Sequence, residues 1–225
     1  MRKWIAFLFL LVGLPALAED LGFRFDPQLS VCRRGDETGF NPGYYGQCGA
    51  FDGVQNVFSG LIHASKDYSG IQLPYLVAEG LRFSSMTLEG ANFRGASLRR
   101  ADWGVVKATR SVLESVDFAN CNMNRVDFKD SNLSRANFRS CYLYSMSFLR
   151  ADLSDVDFSS VSFYAAPVLQ EADIRGANFK GTVWGSSVDL CYVFNRAKYN
   201  DATILPDNWF SHSSKNPEDC MVKTP

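Results

Sequence analysis

The chain has few of the groups on which most enzymes and metal proteins depend. Only two of its 225 residues are histidines, His63 and His212, and they lie far apart in sequence. It has no CxxC pair, no G-x-S-x-G or H-E-x-x-H motif, and no phosphate-binding or dinucleotide-binding glycine loop. The sequence therefore predicts a protein that is not an enzyme, with no catalytic residue, no metal and no cofactor.

An excess of charge of one sign is also missing. The formal net charge is −1, and removal of Arg2 and Lys3 with the N-terminal segment leaves 21 basic residues against 24 acidic residues. A protein that binds nucleic acid through its field needs a concentrated basic patch, and none dominates here. We expect no nucleic-acid partner.

Long apolar runs are absent after the first eighteen residues. Arg2 and Lys3 precede an apolar stretch over residues 4–14, and Ala16-Leu17-Ala18 is typical of a signal-peptidase site. The stretch is short for a membrane span, although a retained anchor is the alternative. We predict a signal peptide over residues 1–18, a mature protein in a bacterial periplasm or secreted, and no membrane association after cleavage.

The chain instead has a period of five residues from about 83 to 204. Every fifth residue is large and apolar, except at Ala108; the residue two places earlier is slim, and Asp or Asn often stands directly before the large one. The large residues are Leu88, Phe93, Leu98, Trp103, Leu113, Phe118, Met123, Phe128, Leu133, Phe138, Leu143, Phe148, Leu153, Phe158 and Phe163. This period suits neither an amphipathic helix nor an alternating strand. It suits a four-sided coil whose turns of twenty residues stack on one another.

The pattern small–(Asp/Asn)–(Leu/Phe)–x–x resembles that of the pentapeptide-repeat family. The resemblance implies an all-β fold, a right-handed quadrilateral parallel β-helix, here over residues 83–205. We expect irregular, disulfide-tied caps at residues 19–50 and 206–225, because the ends of a stacked coil need covering. Residues 51–82 are either degenerate repeats in another phase, through Leu76 and Leu81, or part of a cap.

The phase slips once within the repeat. After Phe163 the large residues are Val168, Ile174, Phe179, Trp184, Phe194, Tyr199 and Ile204. One residue is therefore inserted near residues 166–170. Pro167 suggests a bulge at a corner, since proline donates no ladder hydrogen bond.

Six cysteines in an exported chain favour disulfides. Cys32 and Cys48 flank a glycine-rich loop, and we predict that they pair. Cys191 and Cys220 are the next predicted pair and tie the C-terminal tail to the last turns. Cys121 and Cys141 both fall at the slim inward position, where we expect free buried thiols, with a bond between them as the alternative.

Large apolar residues outside the inward frame are candidates for an interaction surface. They are Tyr142, Tyr144, Leu149, Tyr164 and Leu169. Tyr144 and Tyr164 are twenty residues apart and are predicted to stack. The competing interpretations are that the tyrosines lie on a β-surface for local reasons and that the insertion turns Leu169 inward.

These observations predict an exported, non-catalytic module that acts as a protein-interaction or structural scaffold. Its partner is an unknown protein or a second copy of the chain. An alternative is the binding of a glycan or cell wall through the tyrosines. A less favoured alternative comes from the resemblance alone, because some pentapeptide-repeat proteins mimic DNA and inhibit a topoisomerase. The near-neutral charge and the export signal argue against that activity.

Overall fold

The computed structural model describes residues 23–26, 31–34, 46–47, 67–70, 73–77 and 79–225. The first three segments are the strands β1 (Phe23–Asp26), β2 (Val31–Arg34) and β3 (Gly46–Gln47). They form an antiparallel sheet in the order β1-β2-β3. Residues 1–18 and Cys48 lie outside the described residues, so the signal peptide and the Cys32–Cys48 pair stay predictions.

A six-stranded parallel sheet forms one side of the coil. Its strands, in order, are β4 (Arg82–Thr87), β5 (Asp102–Lys107), β6 (Asn122–Asp127), β7 (Tyr142–Tyr144), β8 (Ser162–Phe163) and β9 (Val183–Trp184). Partners are twenty residues apart from β4 to β8, as when Phe83 pairs with Trp103. Each strand therefore belongs to the next turn of the coil.

Bridges between turns recur at four places in each set of twenty residues. Within one turn, Asp102 pairs with Asn122, Lys107 with Asp127, Val112 with Asn132 and Asp117 with Asn137. These four columns are the four sides, and all are parallel. The structure thus confirms the predicted all-β class and four-sided parallel coil, a β-solenoid of about seven turns.

The interior is filled by the side chains that the period of five predicts. The large residues of the central turns are almost fully buried, and the slim residues before them are buried as well. Phe118, Phe138, Phe158 and Phe179 form one column, with centroid separations of 4.9, 5.1 and 5.0 Å between successive rings. The centre of the coil is therefore a packed aromatic core.

The Asp or Asn before each large residue closes the corner of the coil. The carboxylate of Asp117 accepts a hydrogen bond from the backbone N–H of Ala119, two residues on, and Asn132 does the same for Ser134. Short polar side chains favour such local turns. The repeat of Asp and Asn is thus explained by the backbone.

The insertion is present, but it places a different residue in the core. Ser147 bridges Val168, 21 residues on, and Pro167 is buried at the slim position. Leu169 is fully buried, while Val168 is half-buried. The prediction that Val168 fills the core is wrong, because the extra residue comes before it and shifts the frame to Leu169.

The upstream turn keeps the frame of the main repeat. The N–H groups of Tyr68 and Leu73 donate to the carbonyls of Thr87 and Asn92, nineteen residues on, as Leu88 donates to Lys107. Leu81 is buried at the slim position. The expected change of phase is therefore not found in the described residues, and parallel bridging already begins at Asp67.

The last turn carries extra residues and the C-terminal cover. It contains α1 (Leu190–Val193) and β10 (Lys198–Tyr199), followed by α2 (Trp209–His212), a 3₁₀ turn (Pro217–Asp219) and β11 (Val222–Lys223). β10 and β11 pair in parallel.

The extra residues change which side chains continue the core. Asn178 bridges Ile204, 26 residues on. Ile204, predicted as a core residue, is 47% exposed, and Leu205 packs against the core in its place. Asp173 bridges Lys198, 25 residues on and so still in frame, which means that the slip exposing Ile204 comes from one further residue in the turn between Tyr199 and Ile204 and not from α1.

Two disulfides hold successive parts of the coil together. Cys191 and Cys220 are bonded, as predicted. Cys121 and Cys141 are also bonded, and the expectation of free thiols is wrong. Their Cα atoms are 4.7 Å apart because stacking places them directly one above the other, and that distance lies within the range that disulfides span.

Candidate functional site

The outer face of the sheet β4–β9 carries two columns of outward side chains. One column contains Arg82, Asp102, Asn122, Tyr142, Ser162 and Val183, and the other contains Ser84, Gly104, Asn124, Tyr144, Tyr164 and Gly185. Alternation along each strand sends the residues between them into the core. The twenty-residue turn therefore assembles side chains that are distant in sequence.

A groove of about 350 Å³ lies on this face. We call it the tyrosine groove. Its outward side chains are Asp102, Gly104, Asn122, Asn124, Tyr142, Tyr144 and Tyr164. Trp103 and Met123, whose side chains are buried, complete its floor. The groove thus has a polar half on β5 and β6 and an aromatic half formed by β7 and by Tyr164, which directly follows β8.

The aromatic half is formed by three exposed tyrosines. Tyr142 is 53% exposed, Tyr144 47% and Tyr164 63%. The rings of Tyr142 and Tyr164 stack with centroids 6.2 Å apart and an interplanar angle of 19°. The predicted stack joined Tyr144 to Tyr164 instead. The pair that forms is a diagonal one, which aromatic side chains are long enough to make.

The two leucines predicted for this surface do not belong to it. Leu169 is fully buried, because the inserted residue before it shifts the frame and turns its side chain into the core. Leu149 is half-buried and does not line the tyrosine groove. Of the five predicted surface residues, the structure brings together the three tyrosines.

The polar half is held by Asp102. Its carboxylate accepts a hydrogen bond from Nδ2 of Asn122 at 3.0 Å and forms an ion pair with Arg82 at 3.2 Å. Within the described part of the chain, the amide of Asn124 makes no hydrogen bond and is exposed. Asp102 is thus paired with Arg82 and Asn122, while the exposed amide of Asn124 is available to a ligand.

Gly104 gives the groove its depth. Its backbone is not in the left-handed region, and an added Cβ would meet only Phe83 O and Ser84 Oγ, both at 3.9 Å. These are ordinary van der Waals contacts. A side chain at this position is therefore compatible with the fold and would occupy the groove.

Sequence reasoning missed the polar half of the groove. Asp102, Gly104, Asn122 and Asn124 are ordinary members of the repeat when it is read in fives. The signal that could have found them is the spacing of twenty, which places Asn122 beside Tyr142 and Asn124 beside Tyr144.

Elsewhere on the coil, basic side chains pair with acidic ones of adjacent turns. Ion pairs join Arg94 to Glu114, Arg99 to Asp117, Arg100 to Glu79, Arg110 to Glu89 and Arg150 to Asp130. The two hydrogen bonds and the charge of the Arg150 guanidinium hold the pKa of Asp130 below its ordinary range. These pairs place charges of opposite sign next to each other on adjacent turns.

The described residues show neither a metal centre nor a membrane helix. No three His, Cys, Asp or Glu side chains among them are grouped so as to hold an ion. In the same part of the chain, no helix has the length and apolar character needed to cross a bilayer.

Two family models match the chain. The model for a pentapeptide repeat region matches residues 111–187, and the model for pentapeptide repeats (8 copies) matches residues 79–102. Comparison with curated proteins gave no match.

Solved structures of pentapeptide repeat proteins are similar to this chain. Trypsin-treated QnrB1, a plasmid-mediated fluoroquinolone resistance protein, is 16% identical with a TM-score of 0.41, and the match covers 64% of this chain and 66% of that one. Rfr23 from the cyanobacterium Cyanothece 51142 is 15% identical, with a TM-score of 0.31 over 73% and 78%. A protein of the Arabidopsis thaliana thylakoid lumen is 21% identical, with a TM-score of 0.28 over 55% and 70%. These likenesses concern the fold alone.

Proposed function

This chain belongs to the pentapeptide-repeat family, and we propose that it is an exported, non-catalytic interaction module that binds its partner in the tyrosine groove. One observation carries the proposal. Three tyrosines, each about half exposed or more, converge on a concave surface. Exposed aromatic clusters of this kind mark binding surfaces, because leaving them in water is unfavourable.

The scaffold supports the groove from beneath. Cys121 and Cys141 directly precede Asn122 and Tyr142, and their disulfide joins β6 to β7 where the polar half meets the aromatic half. The backbone ladder fixes the spacing of the two strands as well. A surface held in this way loses little conformational freedom on binding, which favours affinity.

Export is supported by the N-terminal sequence and by the disulfides. Residues 1–18 have the charge, apolar stretch and small residues of a signal peptide. Disulfides such as Cys191–Cys220 persist in oxidising compartments and are rare in the cytosol.

The charge pattern gives no support to DNA mimicry. Mimicry requires a sustained negative field along the rod. Here Glu89 and Glu114 are each paired with an arginine of a neighbouring turn, Arg110 and Arg135. The interaction module is therefore the function that the geometry favours.

The test compares the wild type with Tyr142→Ala/Tyr144→Ala/Tyr164→Ala. The full chain is exported and purified, its mass is measured by light scattering after size exclusion, and its cosedimentation with isolated Gram-negative envelopes is quantified. We expect the wild type to self-associate or to pellet with the envelopes. In the triple variant the affinity of that interaction should fall about tenfold or more, because aromatic anchors dominate binding energy.

Tyr75→Ala is the matched control. Tyr75 is 70% exposed and lies outside the tyrosine groove, so its loss removes one highly exposed tyrosine without touching the site. Identical behaviour of the wild type and the triple variant in both measurements would rule out the groove as the interaction surface.

A further inference from the structure

We propose that the ligand of the tyrosine groove is an uncharged, β-1,4-linked glycan chain that lies across β5–β8 along the axis of the coil. The proposal rests on the proposed function and names its ligand class. It depends on three properties of the groove: the separation of aromatic and amide groups, the absence of net charge, and the repeat of the strands.

The chemistry of the two halves matches the two kinds of surface on a pyranose ring. A ring in an extended β-1,4 chain has C–H groups on its faces and hydroxyl groups around its edge. The exposed rings of Tyr142, Tyr144 and Tyr164 offer apolar faces to the C–H groups, with phenolic hydroxyls at their tips. Asn124 offers an amide that both donates and accepts hydrogen bonds.

The charge of the groove favours a neutral ligand. Asp102 is the one charged residue among the side chains that line it. Arg82 and Asn122 already neutralise and bind its carboxylate. A nucleic acid would need basic groups in contact with its phosphates, and the groove has none. A cationic ligand would have to compete with Arg82 for the carboxylate of Asp102.

The spacing of the strands favours an extended chain rather than a single sugar. Neighbouring strands of a sheet lie ~4.8 Å apart, so β5–β8 span roughly 14 Å. The rings of an extended β-1,4 chain repeat at a length close to one strand spacing. Each turn can therefore present its side chains to one ring, with Tyr164, Tyr144 and Asn124 on successive turns.

The size of the groove agrees with this ligand. Its volume of about 350 Å³ lies at the lower end of the range for small-molecule sites, ~300–1,000 Å³. Its lining residues lie on the outer face of the sheet and come from successive turns, so it is accessible from solvent. A chain longer than the groove can therefore extend past either end of it.

Isothermal titration with cellohexaose and chitohexaose tests the proposal. We expect the exported full chain to bind at least one hexasaccharide, and the corresponding monosaccharide at least about tenfold more weakly. We expect Tyr142→Ala/Tyr164→Ala to weaken binding about tenfold or more, as for the loss of aromatic anchors. The substituted residues are exposed, and the thermal midpoint checks that each variant is folded.

Gly104→Leu provides a steric test that removes no contact. A Cβ at this position meets no atom closer than 3.9 Å, so we expect the leucine to block the groove, with loss of hexasaccharide binding at unchanged stability. Ser84→Leu is the matched control, since Ser84 is exposed one turn earlier in the same column and does not line the groove.

The outcomes separate the ligand class from the proposed function. Envelope retention that depends on the tyrosines, with no hexasaccharide binding, would overturn the glycan and leave a protein partner. Hexasaccharide binding that survives Gly104→Leu would place the glycan elsewhere and overturn the inference. If the tyrosine variants keep both envelope retention and self-association, the tyrosine groove is not an interaction surface at all.

Discussion

The central turns and the C-terminal part of the coil use different means to stay folded. From β4 to β8 every turn has twenty residues, and the same kinds of side chain lie above one another. Beyond Phe163 the spacing between bridged residues rises to 21 at Ser147 and Val168 and to 26 at Asn178 and Ile204. The central turns repeat one packing arrangement, whereas the terminal turns differ from one another in length and in packing.

Individual interactions compensate for the irregular turns. Trp184 Nε1 donates to Thr182 Oγ1 at 2.9 Å, and Trp209 Nε1 donates to the carbonyl of Lys215 at 2.8 Å. The Cys191–Cys220 disulfide joins α1 to the tail. In a solenoid each turn is stabilised by its neighbours, so the last turns need such bonds because they have a neighbour on one side only.

The largest expected effect breaks the central stack. Phe138→Ala should destabilise the protein by ~3–5 kcal/mol, because the ring is fully buried between Phe118 and Phe158 and leaves a cavity. Phe158→Ala should cost a similar amount, since Phe158 is likewise fully buried and stacked between two phenylalanines, Phe138 and Phe179. Urea unfolding followed by circular dichroism measures both. A large difference between them would show that the central turns are not equivalent.

The disulfides should contribute unequally. Cys191→Ser/Cys220→Ser opens a link over 29 residues, and we expect a loss of ~3–4 kcal/mol on chain-entropy grounds. Cys121→Ser/Cys141→Ser should cost less, because serines already occupy the same arrangement at Ser111 and Ser131, whose hydroxyls lie 3.4 Å apart.

The atoms around the two pairs show why serine fits. Cys141 Sγ lies 3.2 Å from Cys121 N, and Ser131 Oγ lies 3.2 Å from Ser111 N. Urea midpoints of the two double variants, measured under identical conditions, give the order of the losses. The reverse order would mean that the central turns depend on their disulfide more than the terminal turns do.

A third change introduces into the central turns the hydrogen bond that Trp184 makes in the terminal turns. Trp103 and Trp184 lie in the same inward column, but within the described residues Trp103 Nε1 is buried without a hydrogen-bond partner. Ala101 is at the position that Thr182 holds beside Trp184. Ala101→Ser should stabilise the protein by ~1 kcal/mol by supplying an acceptor.

Ala96→Ser is the control for that change. Ala96 is buried at the same slim position, but its neighbour two residues on is Leu98, which has no donor. We expect no gain in the thermal midpoint from this variant. Equal shifts for Ala96→Ser and Ala101→Ser would show that the indole of Trp103 gains nothing from the hydroxyl.

The smallest effect concerns pH. The pKa of Asp130 is lowered by its hydrogen bonds with Arg150, so its contribution to stability is present above its ordinary pKa of 3.8 and is lost as the pH falls through the lowered value. Asp130→Asn should therefore differ from the wild type at pH 6 and converge with it at the acidic end. The effect is small because the pair is exposed to water.

Arg150→Gln provides the reciprocal check. It removes the same hydrogen bonds by changing the donor. The loss of stability that the wild type shows when Asp130 becomes protonated should therefore be missing from this variant as well. Thermal midpoints between pH 2 and pH 6 for both variants make the comparison. A profile for Arg150→Gln that follows the wild type would show that other groups set the acid sensitivity.

Much of the fold follows from the sequence because each repeat is read locally. A large apolar residue such as Phe118, Phe138 or Phe158 identifies the inward position of its own repeat. Asp117 accepts a hydrogen bond within its own corner. The candidate site was predicted only in part. The three tyrosines stand out as apolar residues in outward positions, but Asn122 and Asn124 resemble every other polar residue of the repeat.

The sequence by itself determined the coil: its period, its inward column and its Asp and Asn corners are set by residues within five positions of one another. The tertiary structure alone decided what meets across turns. It chose Leu169 over Val168 for the core, bonded Cys121 to Cys141, and stacked Tyr142 on Tyr164. The physical reason is that the last two contacts join side chains of neighbouring turns, and the first depends on one inserted residue that shifts the frame; no preference within five residues encodes either.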